Sequence, residues 1–395
     1  MRAAPTRVNT LSQHPAPALH THLCGDLCVD HLHFMTATLY TRVALRAWEC
    51  RSAAGDAAAA WAAVASRSSA LRHVPGRGWC GVVNAAGGDP VGMLHAAAHG
   101  PWTALAQGVG LPALGLSASK GDPWALDRAL NKQPAAWLSA DGAAVNQAVA
   151  ARLGIRHYVP CAVAAACSTG IYALLSAADL IERGHCAQGL AGAVDGDLPP
   201  WLAAGFASMG VLCGDRRPVA FGGLMQAEAC APEVLGAQAS ACFANSSQQA
   251  EACAPGEATG FAPAAGAGVL ALEEDGPWRL AAGVRLGDAG HETHFTDPRT
   301  LTTALAALWV ALPNPDLIVT HGTGTAAGDA YEAAGLMAGP WRRAEQVSMK
   351  PILGHCLGAS GAVELAAACC APVRRLWKLS LGFGGHLAAV ALART

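Results

Sequence analysis

The chain has 395 residues, of which 52% are hydrophobic and 14% are charged. This length and composition favour two domains, or one large two-part domain with a sizeable core, and exclude a disordered protein. The net charge of −2 does not favour a general nucleic-acid partner, and no run of 18 apolar residues predicts a membrane span.

The N-terminus lacks a basic segment followed by an apolar one, so secretion is not indicated. We therefore expect a cytoplasmic protein whose 14 cysteines are reduced thiols rather than a disulfide framework. Most of them lie in alanine-rich segments, where free cysteine packs as a small hydrophobic residue.

Residues 1–40 are rich in histidine and proline and show no periodicity. We expect an N-terminal extension, either a disordered tail or an upstream extension of the reading frame with Met35 as the true start. Histidine and cysteine side chains there could bind zinc, although their spacing matches no tight finger pattern. The residues concerned are His20, His22, Cys24, Cys28, His31 and His33.

The next segments alternate between strand-like and helix-like patterns, which is typical of an α/β fold. A strand is predicted from Arg42, and Asp56 is a plausible N-cap for the alanine-rich helix that follows. Residues 157–166, "HYVPCAVAAA", predict a buried strand. The polar and irregular stretch 213–260 is interpreted as an insertion.

Cys167 lies between the predicted strand and a predicted helix that begins after Ser168 and ends near Gly184. The unpaired N–H groups of a first helical turn and the helix dipole both favour a thiolate over a thiol. Such a cysteine is a candidate nucleophile. A buried, inert cysteine remains the alternative at this point.

Two glycine-containing loops further along the chain carry other reactive side chains. His321 follows the apolar strand "PDLIVT", at the end where open α/β sheets place functional groups. Lys350 and His355 share a second loop, which runs into an apolar helix. One cysteine, two histidines and a lysine at strand ends form a stronger signal together than any of them does alone.

Four motifs carry a family resemblance: "ACSTG", "HGTGT" followed by Asp329 and Glu332, "KPILGHCLGASGAVEL" and "LGFGG". In this order and spacing they resemble the β-ketoacyl-[acyl-carrier-protein] synthases. The resemblance implies a thiolase-like α/β fold, in which two similar halves form a layered αβαβα core. It places the nucleophilic cysteine in residues 41–273 and the two histidines in residues 274–395.

The resemblance also implies a reaction. Cys167 takes an acyl group from a carrier-protein thioester. Malonyl-carrier protein then loses carbon dioxide, and its enolate attacks the acyl-enzyme to give a 3-oxoacyl product in fatty acid or polyene/polyketide biosynthesis. Neutral imidazoles of His321 and His355 would donate hydrogen bonds to the thioester oxygen as charge develops on it, and Lys350 would orient or tune one of them.

Further roles follow from the same resemblance. The N–H groups of Cys167 and Phe383 would form an oxyanion hole, in a gating loop made mobile by its glycines. No cofactor and no metal are implied, and a homodimer or a heterodimer with a related ketosynthase subunit is expected. The remaining implied residues are Gly382, Gly384 and Gly385 in the loop, and Thr323, Thr325, Asp329 and Glu332 as supporting residues.

An acyl carrier protein, the implied partner, is usually acidic. Three pairs of arginines could steer such a carrier towards the site, although ordinary solvated arginines are an equal interpretation. The pairs are Arg216 and Arg217, Arg342 and Arg343, and Arg374 and Arg375.

The sequence departs from the family pattern at His386-Leu387, where a polar pair usually follows the glycine loop, and at Ala265, where a glutamate is usual. Three other interpretations stay open. The chain could be a chain-length-factor-like partner subunit, although Cys167 and both histidines favour an active enzyme. A thiolase would need a second cysteine as base, and the glycine loop has none. A metal-binding interaction protein would bind zinc and leave Cys167 unacylated.

Overall fold

The computed structural model describes residues 36–83, 89–105, 110–131, 133–221 and 259–395. The strands in this part of the chain are β1 (Thr36–Leu39), β2 (Ala44–Arg51), β3 (Arg72–Val74), β4 (Gly78–Cys80), β5 (Ala113–Ala118), β6 (Val159–Pro160), β7 (Gly189–Asp195), β8 (Gly266–Glu273), β9 (Trp278–Gly287), β10 (Leu317–Val319), β11 (Glu345–Val347), β12 (Arg375–Gly382) and β13 (His386–Arg394).

The α-helices in the same part of the chain are α1 (Ala57–Ala65), α2 (Pro90–Ala104), α3 (Pro123–Leu130), α4 (Trp137–Ala140), α5 (Gly142–Arg152), α6 (Thr169–Glu182), α7 (Pro200–Ser208), α8 (Pro298–Ala311), α9 (Ala326–Met337), α10 (Lys350–Leu353) and α11 (Ser360–Ala368). Short 3₁₀ turns occur at Pro134–Ala136, Ala166–Ser168, Pro340–Arg343 and Leu357–Ala359. Among these described helices, none combines the length and the apolar character needed to cross a bilayer.

One sheet runs through the molecule in the order β11-β10-β12-β13-β9-β2-β8-β7-β5-β6, and β1 pairs with β9. Counted inwards from either end of the sheet, the first two pairs of neighbouring strands are parallel and the next two pairs are antiparallel. The two five-strand units meet where β2 pairs with β9, at Leu45 and Trp278. The predicted α/β fold with two similar halves is therefore confirmed.

Helices α6 and α11 form the central layer. They pack on each other and on strands of both halves, and their apolar side chains belong to the core cluster that also contains Leu270 and Val390. A second cluster lies between the N-terminal strands and helices α2 and α5. A third packs α8 against the C-terminal strands. Three separate apolar clusters around two sheet halves give the layered arrangement that was expected.

Aspartate caps begin most of the outer helices, because a carboxylate accepts the N–H groups that a first turn leaves unpaired. The predicted cap of α1 is confirmed, since Asp56 accepts from the N–H of Ala59 at 2.9 Å. Gly184 follows the end of α6 with φ 73°, as a terminating glycine should. The other capping aspartates are Asp89, Asp122, Asp141 and Asp297.

Two predictions need correction. The buried strand expected over residues 157–166 is limited to Val159–Pro160, which pairs only with β5 and is partly exposed. It lies at the sheet edge, where Pro160 has no N–H to donate to a further strand. In addition, β1 begins at Thr36, within the predicted extension 1–40, and pairs with β9. Most of the predicted insertion, and the candidate zinc ligands before residue 36, lie outside the described residues.

Close packing of the central layer gives a stability prediction. A Cβ built on Gly268 would lie 2.4 Å from the backbone of both Ala362 and Val363. The variant Gly268→Ala should therefore lower the free energy of unfolding by about 2 kcal/mol or more, because neither backbone can move away cheaply. Chemical denaturation measures this change.

The matched control is Gly205→Ala in α7, where an added Cβ has no neighbour within 4 Å. This variant should be neutral or more stable by up to about 1 kcal/mol, since alanine favours a helix. Equal destabilisation of both variants would contradict the packing argument.

Candidate active site

Cys167 lies in the tight 3₁₀ turn that leads into α6. The residue before it, Ala166, has φ 46°, a left-handed conformation that non-glycine residues rarely adopt. The Thr169 hydroxyl fixes this turn, because Oγ1 accepts the N–H of Ala165 at 2.9 Å and donates to the carbonyl of Ala166 at 2.7 Å. No side chain caps the first N–H groups of α6, so the thiol lies beside the open start of a helix.

A second turn of the same form precedes α11. Leu357 has φ 48°, and the 3₁₀ turn Leu357–Ala359 leads into a helix that likewise has no side-chain cap. The two turns pack against each other. His355 lies immediately before the second turn, so the packing of these turns brings His355 towards Cys167.

The glycine loop reaches the Cys167 turn from β12. A Cβ on Gly382 would lie 3.2 Å from the backbone N of Cys167, and the N–H of Phe383 acts to lower the pKa of the Cys167 thiol. Gly384 and Gly385 adopt φ 77° and 72°, which only glycine tolerates readily. The glycine loop therefore lies next to the Cys167 turn, where the oxyanion hole is predicted.

Burial decides the protonation of the nucleophile. It raises the pKa of the Cys167 thiol above its ordinary value. The positive charges of Lys120 and Lys350 and the Phe383 N–H act in the opposite direction but do not reverse the shift. The prediction of a thiol with a lowered pKa is therefore wrong, because desolvation outweighs the helix terminus. The resting residue is a thiol, which must lose its proton as it attacks.

His321 and His355 lie together, with ring centroids 5.6 Å apart and planes at 83°. They are only 8% and 1% exposed. Burial, followed by the charge of Lys350, lowers the pKa of both rings well below the ordinary range. Both imidazoles are therefore neutral at pH 7, as a hydrogen-bond donor to a developing oxyanion should be.

The hydrogen bonds of the two rings differ. Nδ1 of His355 lies 2.7 Å from the Ser360 hydroxyl, which leaves Nε2 to donate if the serine donates to Nδ1. Nδ1 of His321 is buried and has no hydrogen-bond partner among the described residues. A buried ring nitrogen without a partner is costly unless a ligand satisfies it.

Buried charges hold the backbone of His321. The Glu332 carboxylate accepts the N–H groups of His321 and Gly322 at 2.5 and 2.6 Å. Lys350 donates to the carbonyl of His321 and forms an ion pair with Glu364 at 2.8 Å. Lys350 therefore acts on the backbone of His321, and its charge acts on the ring.

The other predicted supporting residues shape the loop after His321. The hydroxyls of Thr323 and Thr325 are 2.9 Å apart. The Asp329 carboxylate accepts from the N–H of Gly324 at 3.0 Å and from the N–H of Phe221, and burial raises its pKa to about 7. These contacts hold the loop that follows His321 in place.

Aromatic and aliphatic side chains lie beside the histidines. Phe261 contacts the His355 ring edge-on at 4.7 Å, and Phe206 of α7 contacts Phe261 at 6.1 Å. Leu198 and Leu357 complete this cluster, against which Phe383 packs. The site thus offers apolar surface near the thiol, as an acyl chain requires.

Sequence reasoning missed four charged residues of this region. A single charged residue within an apolar stretch of the sequence could have indicated them, since a buried charge needs a partner. Lys120 and Asp195 form an ion pair at 3.3 Å, and the N–H of Gly358 donates to Asp195 at 2.6 Å. The missed residues are Lys120, Asp195, Glu364 and Lys378.

The departures from the family pattern can be placed as well. The His386 carbonyl accepts from Ser168 at 2.6 Å, so this position supports the turn of the nucleophile through its backbone. Ala265 is buried, and its carbonyl accepts from Cys356.

All three arginine pairs are exposed. Within the described ranges no three histidine, cysteine or acidic side chains cluster as metal ligands.

Comparison with known families decides the relationship. The N-terminal domain model of the β-ketoacyl synthases matches residues 106–235, and the C-terminal domain model matches residues 288–383. Together the two matches cover more than half of the chain and contain the nucleophile turn and both histidine loops. The chain belongs to the β-ketoacyl synthase family.

Curated relatives of this chain include two polyketide synthase components of Streptomyces venezuelae, PikAII and PikAIII. They are 27% and 29% identical over 216 residues, which is 50% of this chain. The matched region makes up only 5% and 12% of those proteins. The chain therefore corresponds to a small part of each of them.

Solved structures show the same fold. A chain of the AntDE:AntF complex, described as a type II acyl carrier protein with its ketosynthase bound to the hexaketide, superposes with a TM-score of 0.71 at 19% identity. The ishigamide ketosynthase/chain length factor gives 0.70 at 18% identity. Each match covers 90% of this chain and all of the other. A ketosynthase domain for oxazolomycin from Streptomyces albus JA3453 gives 0.64 at 17%, over 75% of its length. The predicted thiolase-like fold is confirmed.

Because the histidines are buried in their neutral form, the stability of the fold should depend on pH. The unfolded chain binds a proton at His355 near pH 6.5, whereas the folded chain does not. The contribution of His355 to the free energy of unfolding is therefore complete above pH 6.5 and is lost as the pH falls. Between pH 6.5 and 5, stability of His355→Gln should depend less steeply on pH than that of the wild type, by up to about 1.4 kcal/mol per unit.

Urea denaturation at several pH values measures the two slopes. The raised pKa values of Asp329 and Glu332 oppose the histidines in this window, so the difference between the proteins is the informative quantity. Substitution of the exposed His185 by glutamine is the control. Parallel curves for wild type and His355→Gln would show that His355 is protonated in the folded state.

Proposed function

We propose that the chain is a 3-oxoacyl-[acyl-carrier-protein] synthase that performs decarboxylative Claisen condensation. The observation that carries the proposal is the arrangement of Cys167, beside the N–H of Phe383, with two neutral buried imidazoles at His321 and His355. Family membership supports the reaction class. No cofactor is required, since a thiol, two imidazoles and backbone donors can supply the chemistry.

In the first half-reaction, the Cys167 sulfur attacks the thioester carbonyl of an acyl-carrier protein. A carbon–sulfur bond forms, the carrier thiol leaves, and the proton of Cys167 passes to that thiol. The N–H groups of Cys167 and Phe383 donate to the oxyanion of the tetrahedral intermediate. Because burial keeps Cys167 protonated at rest, loss of the proton must accompany attack.

In the second half-reaction, malonyl-carrier protein loses carbon dioxide and negative charge develops on its thioester oxygen. His321 and His355 donate hydrogen bonds to this oxygen, and because both rings are buried, these bonds are stronger than in water. The enolate carbon then attacks the acyl-Cys167 carbonyl, and the bond between the carbonyl carbon and the sulfur breaks as the 3-oxoacyl product forms. Cys167 leaves as a thiolate and takes up a proton from solvent to return to the thiol. Neutral rings suit this role, and the lowered pKa of both keeps them neutral.

The partners are proposed on the same basis. Acyl and malonyl thioesters of an acyl carrier protein are the expected substrates, in a cytoplasmic pathway of fatty acid or polyketide type. The structural similarity to a ketosynthase/chain length factor supports a dimer, either with a second copy or with a related subunit. Exposed arginine pairs, such as Arg342 and Arg343, offer positive charge for an acidic carrier.

A chain-length-factor-like subunit is the second candidate, and the similarity to the ishigamide assembly favours keeping it. Retention of Cys167 at a strained turn, together with both histidines, favours the catalytic role. The two candidates differ in one measurable property, which is acylation of Cys167.

Mass spectrometry after mixing with a panel of acyl-carrier thioesters tests this property. The wild type should gain one acyl group on Cys167 with at least one thioester. Cys167→Ala should gain none and should keep the wild-type circular dichroism and a free energy of unfolding within about 1 kcal/mol, since it loses only one sulfur atom. An unmodified Cys167 across the panel, with and without a co-purified partner, would overturn the catalytic assignment in favour of the subunit role.

A further inference from the structure

Lys378 is a second fully buried lysine near the histidines, and the proposed chemistry does not use it. It is the single charged side chain in the apolar interior of β12 and is 0% exposed. A buried ammonium group is costly unless its three donors find acceptors. The positions of those acceptors indicate what Lys378 does.

Lys378 makes two hydrogen bonds and one ion pair. Nζ donates to the carbonyl of Thr320 at 3.1 Å and to its neighbour's carbonyl, Leu379, at 2.6 Å. It also forms an ion pair with Oε2 of Glu364 at 2.5 Å. Thr320 immediately precedes His321, so this lysine of β12 holds the end of β10 from which His321 projects.

Lys350 and Lys378 share one carboxylate. Glu364 receives Lys350 on Oε1 and Lys378 on Oε2. Lys350 donates to the carbonyl of His321, and Lys378 donates to the carbonyl of Thr320. Two consecutive carbonyls are thus held by two lysines that a single glutamate links.

Glu332 completes the arrangement from the other side. Its carboxylate accepts the N–H groups of His321 and Gly322. The peptide groups on both sides of His321 are therefore bound to buried charged groups from α9, α10 and β12, and Glu364 of α11 links the two lysines. Two cations balance two carboxylates, which makes the cluster electrically neutral when all four groups are ionised.

We propose that Lys378 is a positioning residue for His321, which acts through the Thr320 carbonyl to aim the imidazole at the substrate oxygen during decarboxylation. The inference rests on the function proposed above. The polar contacts of Lys378 are to Thr320, Leu379 and Glu364. Its loss should therefore affect the histidine-dependent half-reaction and spare acylation.

Lys378 also gives this half-reaction a pH dependence. Burial lowers the pKa of Lys378 to about 8. The positive charge of Lys350 also lowers it, whereas the negative charges of Glu364 and Glu332 raise it. The charge of Lys378 also helps to lower the pKa of His321 and of His355. Below pH 8 the ammonium holds Glu364 and Thr320 together. Above pH 8 the neutral amine loses the ion pair, and decarboxylation should slow.

The test compares two rates in the full-length chain. Carbon dioxide release from malonyl-carrier protein reports the histidine step, and mass spectrometry of Cys167 with an accepted acyl thioester reports acylation. Lys378→Met, which keeps the length of the side chain, should slow release about tenfold at pH 7, as a misaimed catalytic group does. Its rate should not fall further above pH 8, whereas the wild-type rate should. Acylation should stay within about twofold of the wild type.

Controls separate the possible outcomes. Leu376→Met changes a buried residue two positions away on the same strand, and both rates should match the wild type. If Lys378→Met does not fold, Lys378→Gln, which keeps a donor towards Thr320, is measured in the same way. Equal rates in variant and wild type, or a proportional loss of both rates, would overturn the inference while leaving the function intact. A wild type that shows neither rate would remove the proposed function itself.

Discussion

The close approach of α6 and α11 is the constraint on which the site depends. A Cβ on Gly170 would lie 2.8 Å from the backbone N of Ala362, and one on Gly361 would lie 2.8 Å from the Ile171 side chain. The contact is reciprocal, since each helix presents a glycine to the residue that follows the glycine of the other. Both helices begin at a strained 3₁₀ turn. Bringing the helices together therefore also brings together the turn that carries Cys167 and the loop that carries His355.

Burial in this central layer sets the electrostatics. It raises the pKa of the thiol and lowers that of both imidazoles, so the resting site holds neutral groups on its reacting side. Glu332, Lys350 and Lys378 bind the backbone on either side of His321. The site therefore supplies hydrogen-bond donors where charge is expected to develop, next to the apolar surface formed by Phe261 and Phe206.

Much of the fold and of the site could be predicted, because the informative residues lie in contiguous motifs. Cys167, His321 and His355 each follow a strand or a turn with a recognisable pattern, and the family motifs fix their order. The edge strand at Val159–Pro160 was overestimated because an alanine-rich apolar run has the same composition whether or not a neighbouring strand covers it. The pKa of Cys167 was predicted in the wrong direction, since the helix start is visible in the sequence but the depth of burial is not. Lys378, Glu364 and Lys120 were missed because only the strand register shows which distant carbonyls and carboxylates they meet.

The central claim is that Cys167, His321 and His355 share one site with the N–H of Phe383. A crystal structure of the chain alkylated at Cys167 with iodoacetamide tests it most directly, because the added amide places a carbonyl oxygen next to the sulfur. We expect this oxygen to lie about 3 Å from the N–H of Phe383 or from the ring nitrogens of the histidines, as a hydrogen bond requires. A carbamidomethyl group that points into a separate region, with both imidazoles beyond reach, would contradict it.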